Sequence, residues 1–286
     1  NIYRKVMNDI REAQRDNGLV PSTAPEYVAF GYHEGFQDSP EWGSASVISP
    51  WYVYKFYGDM KILEENYDVM ARYVDYLTSR TRNNILRHGL GDWDDVGPNH
   101  PYSHHTPVPV TVTAIYYYDI IIMEKVALLL GRKEDAEKYS AMAKEVREAF
   151  NMDFFDNQTS RYMNGSQVSN SMPLFLDMAE EDYKEKVLNN LVKDIVLRGN
   201  HTTGGDVGHP FILRALAKYD KSQVVTDILK QKDHPSYGFQ VENGATTLCE
   251  LWEGPDKDRP RGSQNHLMLG SAEEWFYSGL AGIQVV

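Results

Sequence analysis

The chain has 286 residues, of which 42% are hydrophobic and 24% charged, as is ordinary for a globular protein. Its net charge of −12 and its lack of lysine or arginine runs argue against nucleic acid and anionic membrane surfaces as partners. The single cysteine excludes an internal disulfide and a cysteine-rich zinc site, and it leaves the compartment open.

Hydrophobic periodicity predicts one helix after another along the chain. Segment 108–130 is apolar nearly all round, which is typical of a buried helix, whereas 133–150 has one apolar stripe. This alternation indicates an inner and an outer helical layer, and we expect one α-helical domain over residues 1–286. Segment 237–243 has the pattern of a short strand. The predicted helices are 1–14, 42–57, 60–81, 108–130, 133–150, 167–178, 180–198, 206–218, 220–231 and 266–281.

Acidic and aromatic residues cluster in long loops between these helices. Loops of this length without secondary structure are usually functional in a compact domain. A sugar ring offers an apolar C–H face for stacking and a rim of hydroxyls for hydrogen bonds, so tryptophans beside carboxylates suit a carbohydrate site. If the buried helices form a ring, the loops converge on one pit. The five loops are 24–45, 89–107, 202–210, 237–255 and 263–277.

Five motifs in these loops, taken together and in order, resemble the catalytic domain of bacterial α-L-rhamnosidases of glycoside hydrolase family 78. A single motif such as "GDW" is weak, but five in sequence order at domain-scale spacing are specific. The resemblance covers essentially the whole chain. The motifs are "DSPEWGSA" at 38–45, "GLGDWDDVGP" at 89–98, "TGGDVGHPFILRAL" at 203–216, "GATTLCELWEG" at 244–254 and "SQNHLMLGSAEEWFYSGLAGI" at 263–283.

The resemblance implies an all-α (α/α)6 barrel, made of twelve helices in six hairpins, and an inverting hydrolysis that needs no cofactor and no metal. The ten predicted helices fall short by about one hairpin. The chain also begins without an initiator Met or a signal peptide, inside or beside a helix. We therefore expect a domain that is incomplete at its N-terminal side and is preceded by N-terminal domains of the same polypeptide.

The resemblance also implies roles for individual residues. Glu250, in "TTLCELWE", matches the general base that deprotonates the attacking water. His266 in "QNH" matches a substrate-contacting histidine, and Trp42 and Trp93 match aromatic walls of the sugar pocket. Many relatives carry a tryptophan where this chain has Cys249, which we interpret as a buried thiol.

The general acid of the family lies in a motif upstream of residue 1, and no matching motif occurs within residues 1–286. We therefore expect the isolated chain to bind sugar weakly and to hydrolyse nothing, because the departing glycosidic oxygen receives no proton.

Each candidate residue also has a purely structural interpretation. Glu250 can be a surface or capping carboxylate, and His266 can be a histidine that caps the helix it opens. Asp92 can bind sugar hydroxyls or bridge backbone amides in a turn, and Glu41 leaves the same choice open. The tryptophans can be core indoles whose N–H donates to a carbonyl. The candidate substrate-binding residues are Trp42, Glu41, Asp92, Trp93, Trp252 and His266.

Two further patterns are weak signals. His100, His104 and His105 lie in a proline-rich loop without helical register, which does not favour a metal site. Asp206, in "TGGDVG", is interpreted as opening a helix. Glu253 is interpreted as an outer, structural carboxylate.

The favoured function is hydrolysis of terminal α-L-rhamnosyl residues from plant glycans or glycosides, so the expected partner is a rhamnose-containing oligosaccharide or glycoside. The compartment is not determined by the sequence, and a periplasmic or extracellular location is favoured over a cytoplasmic one. Two alternatives stay open. One is another (α/α)6 enzyme, a fucosidase-like hydrolase or a phosphorylase, although few basic residues are placed to hold phosphate: Lys257, Arg259 and Arg261 lie together between the loops 237–255 and 263–277. The other is a non-catalytic carbohydrate-binding helical domain.

Overall fold

The computed structural model describes residues 2–27, 34–97, 102–255 and 260–285, and this part of the chain is predominantly helical. The all-α prediction is confirmed. The strands here are a two-residue antiparallel pair, β1 (Phe155–Asp156) and β2 (Arg161–Tyr162). The α-helices are α1 (Ile2–Ala13), α2 (Pro40–Gly43), α3 (Ala45–Tyr57), α4 (Met60–Arg80), α5 (Val108–Leu129), α6 (Lys133–Phe154), α7 (Gln167–Phe175), α8 (Lys184–Leu197), α9 (Gly208–Lys218), α10 (Ser222–Leu229), α11 (Tyr237–Glu242) and α12 (Ser271–Trp275). Single turns of 3₁₀-helix (Glu34–Phe36 and Glu181–Tyr183) and of π-helix (Phe276–Leu280) complete the list.

The chain divides into two compact units. The first unit comprises residues 1–90, 108–153 and 285–286, and the second comprises 91–107 and 154–284. The expectation of a single domain over residues 1–286 stays a prediction.

Helix α5, in the first unit, packs against α2, α3 and α4. Residues 110–120 are all buried, as the nearly all-round apolar character of this segment predicts. Helix α6 buries a single stripe instead, and this too agrees with its amphipathic pattern. The buried residues of that stripe include Ala136, Tyr139, Ala143, Val146 and Phe150.

Helix α7 is the corresponding buried element of the second unit, where it packs against α8 and α9. Residues 167–174 of this helix are all buried and half of them are polar, so the polar side chains need hydrogen-bond partners. The fully buried Gln167 donates to the carboxylate of Asp194 and to the carbonyl of His201, both at 3.0 Å. Its Oε1 accepts the N–H of Thr203 at 2.9 Å. Gln167 thereby fixes the start of the loop that leads into α9.

The segment 237–243, predicted as a strand, is instead helix α11. Ser236 caps this helix, because its hydroxyl accepts the N–H of Phe239 at 2.9 Å. The buried Gln240 donates to the carbonyl of Leu251 at 3.0 Å and accepts the N–H of Cys249 at 3.4 Å. The cap and these tertiary bonds outweigh the strand propensity of the aromatic and branched residues.

The predicted helix 266–281 starts later than expected, at Ser271, and ends as the π-helical turn. The residues before it are held in backbone pairing, since the N–H of His266 donates to the carbonyl of Leu248 at 2.9 Å. The expectation that His266 opens a helix is therefore wrong. Helix α9 likewise starts at Gly208, two residues after Asp206.

Within the described residues, no helix combines the length and the apolar character needed to cross a membrane.

A buried acid lies in the core of the first unit. Asp119, on α5, is fully buried and accepts the hydroxyl of Ser44 at 2.5 Å, while its other oxygen has no partner among the described residues. Burial raises the pKa of Asp119 well above its ordinary value, which favours the protonated carboxyl in the folded state. Such a group makes the folded state hold a proton that the unfolded state releases.

Replacing Asp119 by asparagine should make the stability less sensitive to alkali. In the wild type, the unfolded chain releases this proton above the ordinary pKa of 3.8 and the folded chain keeps it, so stability falls as pH rises. The gain of Asp119→Asn in the free energy of unfolding should therefore grow from about pH 5 to about pH 8, by at most roughly 1.4 kcal/mol per pH unit. Urea unfolding at both pH values measures it.

Asp68→Asn, on an exposed position of α4, is the matched control and should show no such growth. A gain for Asp119→Asn that is equal at the two pH values contradicts a neutral, buried Asp119.

Candidate active site

The candidate residues of the second unit surround a glycine turn that precedes α9. Asp92 is fully buried, and its carboxylate accepts the N–H of Gly205 at 3.0 Å and that of Gly208 at 2.6 Å. Because α9 begins at Gly208, Asp92 supplies the acceptor that a helix N-terminus usually takes from its own capping residue. One carboxylate thus joins two loops that are 113 residues apart in sequence.

Two tryptophans hold the same turn. The N–H of Asp206 donates to the carbonyl of Trp93 at 2.8 Å, and the indole N–H of Trp252 donates to the carbonyl of Gly204 at 3.0 Å. Position 205 admits only glycine, because a Cβ on Gly205 would lie 2.1 Å from the carbonyl oxygen of Trp93. The conformation of the turn therefore depends on the segments that carry both tryptophans.

A buried histidine connects this turn to α11. The Nδ1 of His209 lies 3.1 Å from the hydroxyl of Thr202, and its Nε2 lies 2.9 Å from the hydroxyl of Tyr237. Burial lowers the pKa of His209 to about 3, so the ring is neutral at neutral pH. Since the hydroxyl of Tyr237 donates to the carbonyl of Leu269, the hydrogen-bond network assigns the ring proton to Nε2. Sequence reasoning missed His209, although it lies inside the quoted motif at 203–216.

Glu250, the predicted general base, lies on an irregular segment that pairs with residues 263–266. Its N–H donates to the carbonyl of Ser263 at 2.9 Å, and the N–H of Ser263 donates back to the Oε2 of Glu250 at 2.6 Å. The side chain is half-buried. A short, charge-assisted hydrogen bond thus fixes the orientation of a carboxylate that keeps part of its surface exposed.

His266 lies on the strip that pairs with the Glu250 segment, through its bond to the carbonyl of Leu248. Like Glu250 it is half-buried, so the two predicted site residues are carried by adjoining segments. Cys249 lies between Leu248 and Glu250, the two residues of this segment that pair with 263–266. It is a buried thiol, as predicted, with its Sγ 3.5 Å from the Oε1 of Gln264. Burial raises the pKa of Cys249, which does not suit a nucleophile.

Burial and mutual repulsion raise the pKa values of two acids of this unit. Burial, with a contribution from Asp95, raises the pKa of Asp92 to about 7, although the N–H donors of the turn oppose the shift. Burial raises the pKa of Asp206 to about 8, and the charges of Asp94, Asp92 and Glu250 add to the shift. The carboxyls around the turn are thus close enough to affect one another's ionisation.

Glu41 and Trp42 belong to the first unit, where both lie on α2 and are half-buried. The carboxylate of Glu41 accepts the hydroxyl of Ser39 at 2.6 Å and that of Thr111 at 3.2 Å. These bonds orient the carboxylate within its own unit. The expectations that Glu41 and Trp42 contact sugar, and that the five loops meet in one pit, stay predictions.

Two candidate substrate-binding residues need correction, because the structure gives them structural roles. Both oxygens of Asp92 accept backbone N–H groups in a site closed to solvent, which is the turn-bridging alternative. Trp252 is 2% exposed and makes edge contacts with His209 and Tyr237, at ring-centroid distances of 5.0 Å and 5.1 Å. It is a core indole. Trp93 is 8% exposed, and its role as a pocket wall stays a prediction.

The histidine-rich loop organises its own backbone. The N–H groups of His104 and His105 donate to one oxygen of Asp95 at 2.7 Å and 2.6 Å, and the ring of His105 contacts the carbonyl of Val96. His100 lies outside the described residues. Among the described residues, no group of three or more histidine, cysteine or acidic side chains can hold a metal ion.

The comparison with known proteins decides the family. A family model described as the bacterial alpha-L-rhamnosidase 6 hairpin glycosidase domain matches residues 1–280. The chain belongs to this family. An α-L-rhamnosidase of Formosa agariphila is 30% identical over 287 residues, which cover 97% of this chain and 30% of that protein. The (α/α)6-barrel class expected from the sequence is the fold class of this family.

Solved structures agree with this assignment. The α-L-rhamnosidase from Dictyoglumus thermophilum matches with a TM-score of 0.88 and 34% identity, covering 96% of this chain and 31% of that one. The Streptomyces avermitilis α-L-rhamnosidase, solved in complex with L-rhamnose, matches with a TM-score of 0.87 and 26% identity, covering 98% and 26%. The chain thus spans less than a third of the length of these relatives.

Removing the carboxylate that holds the turn should strongly destabilise the second unit. Asp92→Ala leaves two buried N–H groups without an acceptor, each costing about 1–3 kcal/mol, so we expect a loss of about 2–6 kcal/mol in the free energy of unfolding. Urea unfolding measures it. The control Asp233→Ala removes a carboxylate that is 78% exposed and should change stability by less than about 0.5 kcal/mol. Equal losses in the two variants would remove Asp92 from its structural role.

Proposed function

We propose that the chain is the catalytic domain of an inverting α-L-rhamnosidase that removes terminal α-L-rhamnosyl residues from plant glycans or glycosides. The family match over residues 1–280 carries the proposal. The likeness to the Streptomyces avermitilis enzyme solved with L-rhamnose supports the sugar. Because the chain spans less than a third of its relatives, the proposed activity is that of the longer protein.

In this proposal Glu250 is the general base. An inverting glycosidase deprotonates a water molecule as it attacks the anomeric carbon, on the face opposite the leaving group. The carboxylate of Glu250 suits this role, since the N–H of Ser263 fixes one oxygen while the side chain stays partly exposed. A fixed base saves the cost of ordering it at the moment of attack.

A second carboxyl must protonate the departing oxygen, at about 6.5–9.5 Å from the base. The proposal assigns this acid to no residue of the chain, and we propose that the longer protein supplies it from another segment. Trp42 is proposed as a wall of the sugar pocket, since the 6-methyl group of rhamnose presents more apolar surface than a hydroxymethyl group.

Glu250→Gln in the full-length protein should lower kcat on an aryl α-L-rhamnoside by about 10²–10⁴, because the amide cannot take the proton of the attacking water. Steady-state kinetics measures the loss, and thermal unfolding checks that the protein stays folded. Proton NMR of the first product should show β-L-rhamnose if the reaction inverts.

Glu253→Gln is the matched control three residues on. Glu253 pairs with His234 and Arg261, both at 3.5 Å, and should contribute little to turnover. Near-wild-type turnover by Glu250→Gln, or equal losses in both variants, would remove Glu250 from the mechanism.

Trp42→Ala should raise KM and reduce the preference for rhamnosides over mannosides, because the methyl group loses its apolar wall. A change of this size in a pocket usually shifts selectivity by about 1–3 kcal/mol, roughly 10–200-fold. The ratio of kcat/KM for the two aryl glycosides measures it. Trp51→Ala, an indole on α3 beside Lys125, is the control. An unchanged ratio in Trp42→Ala would make Trp42 a packing residue only.

A further inference from the structure

Asp206 is a buried carboxyl whose side chain the turn does not use. Its backbone does the structural work, through the N–H that donates to the carbonyl of Trp93 at 2.8 Å. The residue is 3% exposed, and its Oδ1 has no hydrogen-bond partner among the described residues. A buried polar atom without a partner is rare in native proteins and costs stability, so it calls for a functional explanation.

The charged groups that act on Asp206 come from two neighbouring loops, and all are carboxylates. Asp94 and Asp92 belong to the loop that carries Trp93, and Glu250 belongs to the segment after α11. Burial and these three charges together raise the pKa of Asp206 to about 8. At neutral pH Asp206 therefore carries a proton and can donate a hydrogen bond, which an ionised carboxylate cannot do.

Asp206 and Glu250 thus have opposite surroundings. Glu250 receives the N–H of Ser263 at 2.6 Å, which matches a negative charge on its oxygen. Asp206 has no such donor on its buried oxygen. The surroundings of Asp206 thus favour a carboxyl that keeps its proton.

The stability cost of Asp206 has a definite sign. Between the ordinary pKa of 3.8 and about 8, the unfolded chain is ionised at this position and the folded chain is not. The unfolded state then binds fewer protons, so Asp206 makes the folded protein less stable as pH rises through this window. Acids that destabilise a fold and affect a proposed base occur preferentially at functional sites.

We propose that Asp206 is a further site residue, whose buried and otherwise unpartnered carboxyl donates a hydrogen bond to a hydroxyl oxygen bound beside Glu250. That oxygen belongs either to the sugar or to the attacking water. The inference rests on the proposed function, since it needs a glycoside or its attacking water at Glu250. The fixed turn, held by Asp92 and by the carbonyl of Trp93, keeps the donor in place for either oxygen.

The test compares Asp206→Asn with Asp206→Leu in the full-length protein, using an aryl α-L-rhamnoside from about pH 5 to about pH 9.5. Leucine has no donor and should lower activity about tenfold or more across the range. Asparagine keeps an N–H donor at every pH and should restore most of what leucine loses. Wild-type activity should fall as Asp206 ionises near pH 8, and Asp206→Asn should lack this component. A rise in KM would identify the sugar hydroxyl as the acceptor, whereas a fall in kcat with KM unchanged would identify the attacking water.

Thermal unfolding of the same variants separates a site role from a structural one. Both substitutions remove a buried carboxyl, so their gain in stability over the wild type should grow as pH rises towards 8. The control Asp233→Asn, at an exposed carboxylate, should leave activity and stability unchanged.

Three outcomes overturn the inference. Wild-type pH profiles in both variants would show that Asp206 does not contact the reacting groups. A stability gain that does not depend on pH would show that Asp206 is not the neutral acid. If the wild type hydrolyses no α-L-rhamnoside, the proposed function fails and the inference fails with it. If the wild type and both variants are equally active, the inference alone fails.

Discussion

The second unit depends on one buried carboxylate, that of Asp92. It accepts two N–H groups of the turn before α9. In the same turn, the carbonyl of Gly204 accepts the indole N–H of Trp252, and the N–H of Asp206 donates to the carbonyl of Trp93. Each bond takes a polar group out of water at a place where an unpaired group would be costly. The positions of the loops at 89–97, 202–208 and 249–254 are therefore set jointly.

The same geometry concentrates negative charge. The turn carries Asp206 into the neighbourhood of Asp94, Asp92 and Glu250, and burial weakens the solvation of every carboxylate there. As a result, some of these acids stay protonated at neutral pH, as is usual for a carboxyl that is neither solvated nor paired with a positive charge. An arrangement that costs stability in this way is typical of a site in which charge and protons are used.

The proposed base is positioned by backbone pairing and not by a helix. Glu250 and Ser263 exchange two hydrogen bonds. A further hydrogen bond, from the N–H of His266 to the carbonyl of Leu248, joins the same two segments. Backbone bonds of this kind fix a side chain at its root, so the carboxylate stays in place while it remains open to a ligand. In the first unit, a buried core around α5 supports Glu41 and Trp42 on the short helix α2.

The sequence by itself determined most of the helical segments and which residues belong to the family pattern. The apolar α5 and the striped α6 follow from periodicity, because burial and 3.6-residue spacing are both local in sequence. Only the tertiary structure decided the roles of Asp92 and Trp252 and the helical state of 237–243. The reason is that these depend on partners far away along the chain, such as Gly205 for Asp92 and Leu251 for Gln240. The unpaired, neutral state of Asp206 is of the same kind, since it is set by the carboxylates that the fold places around it.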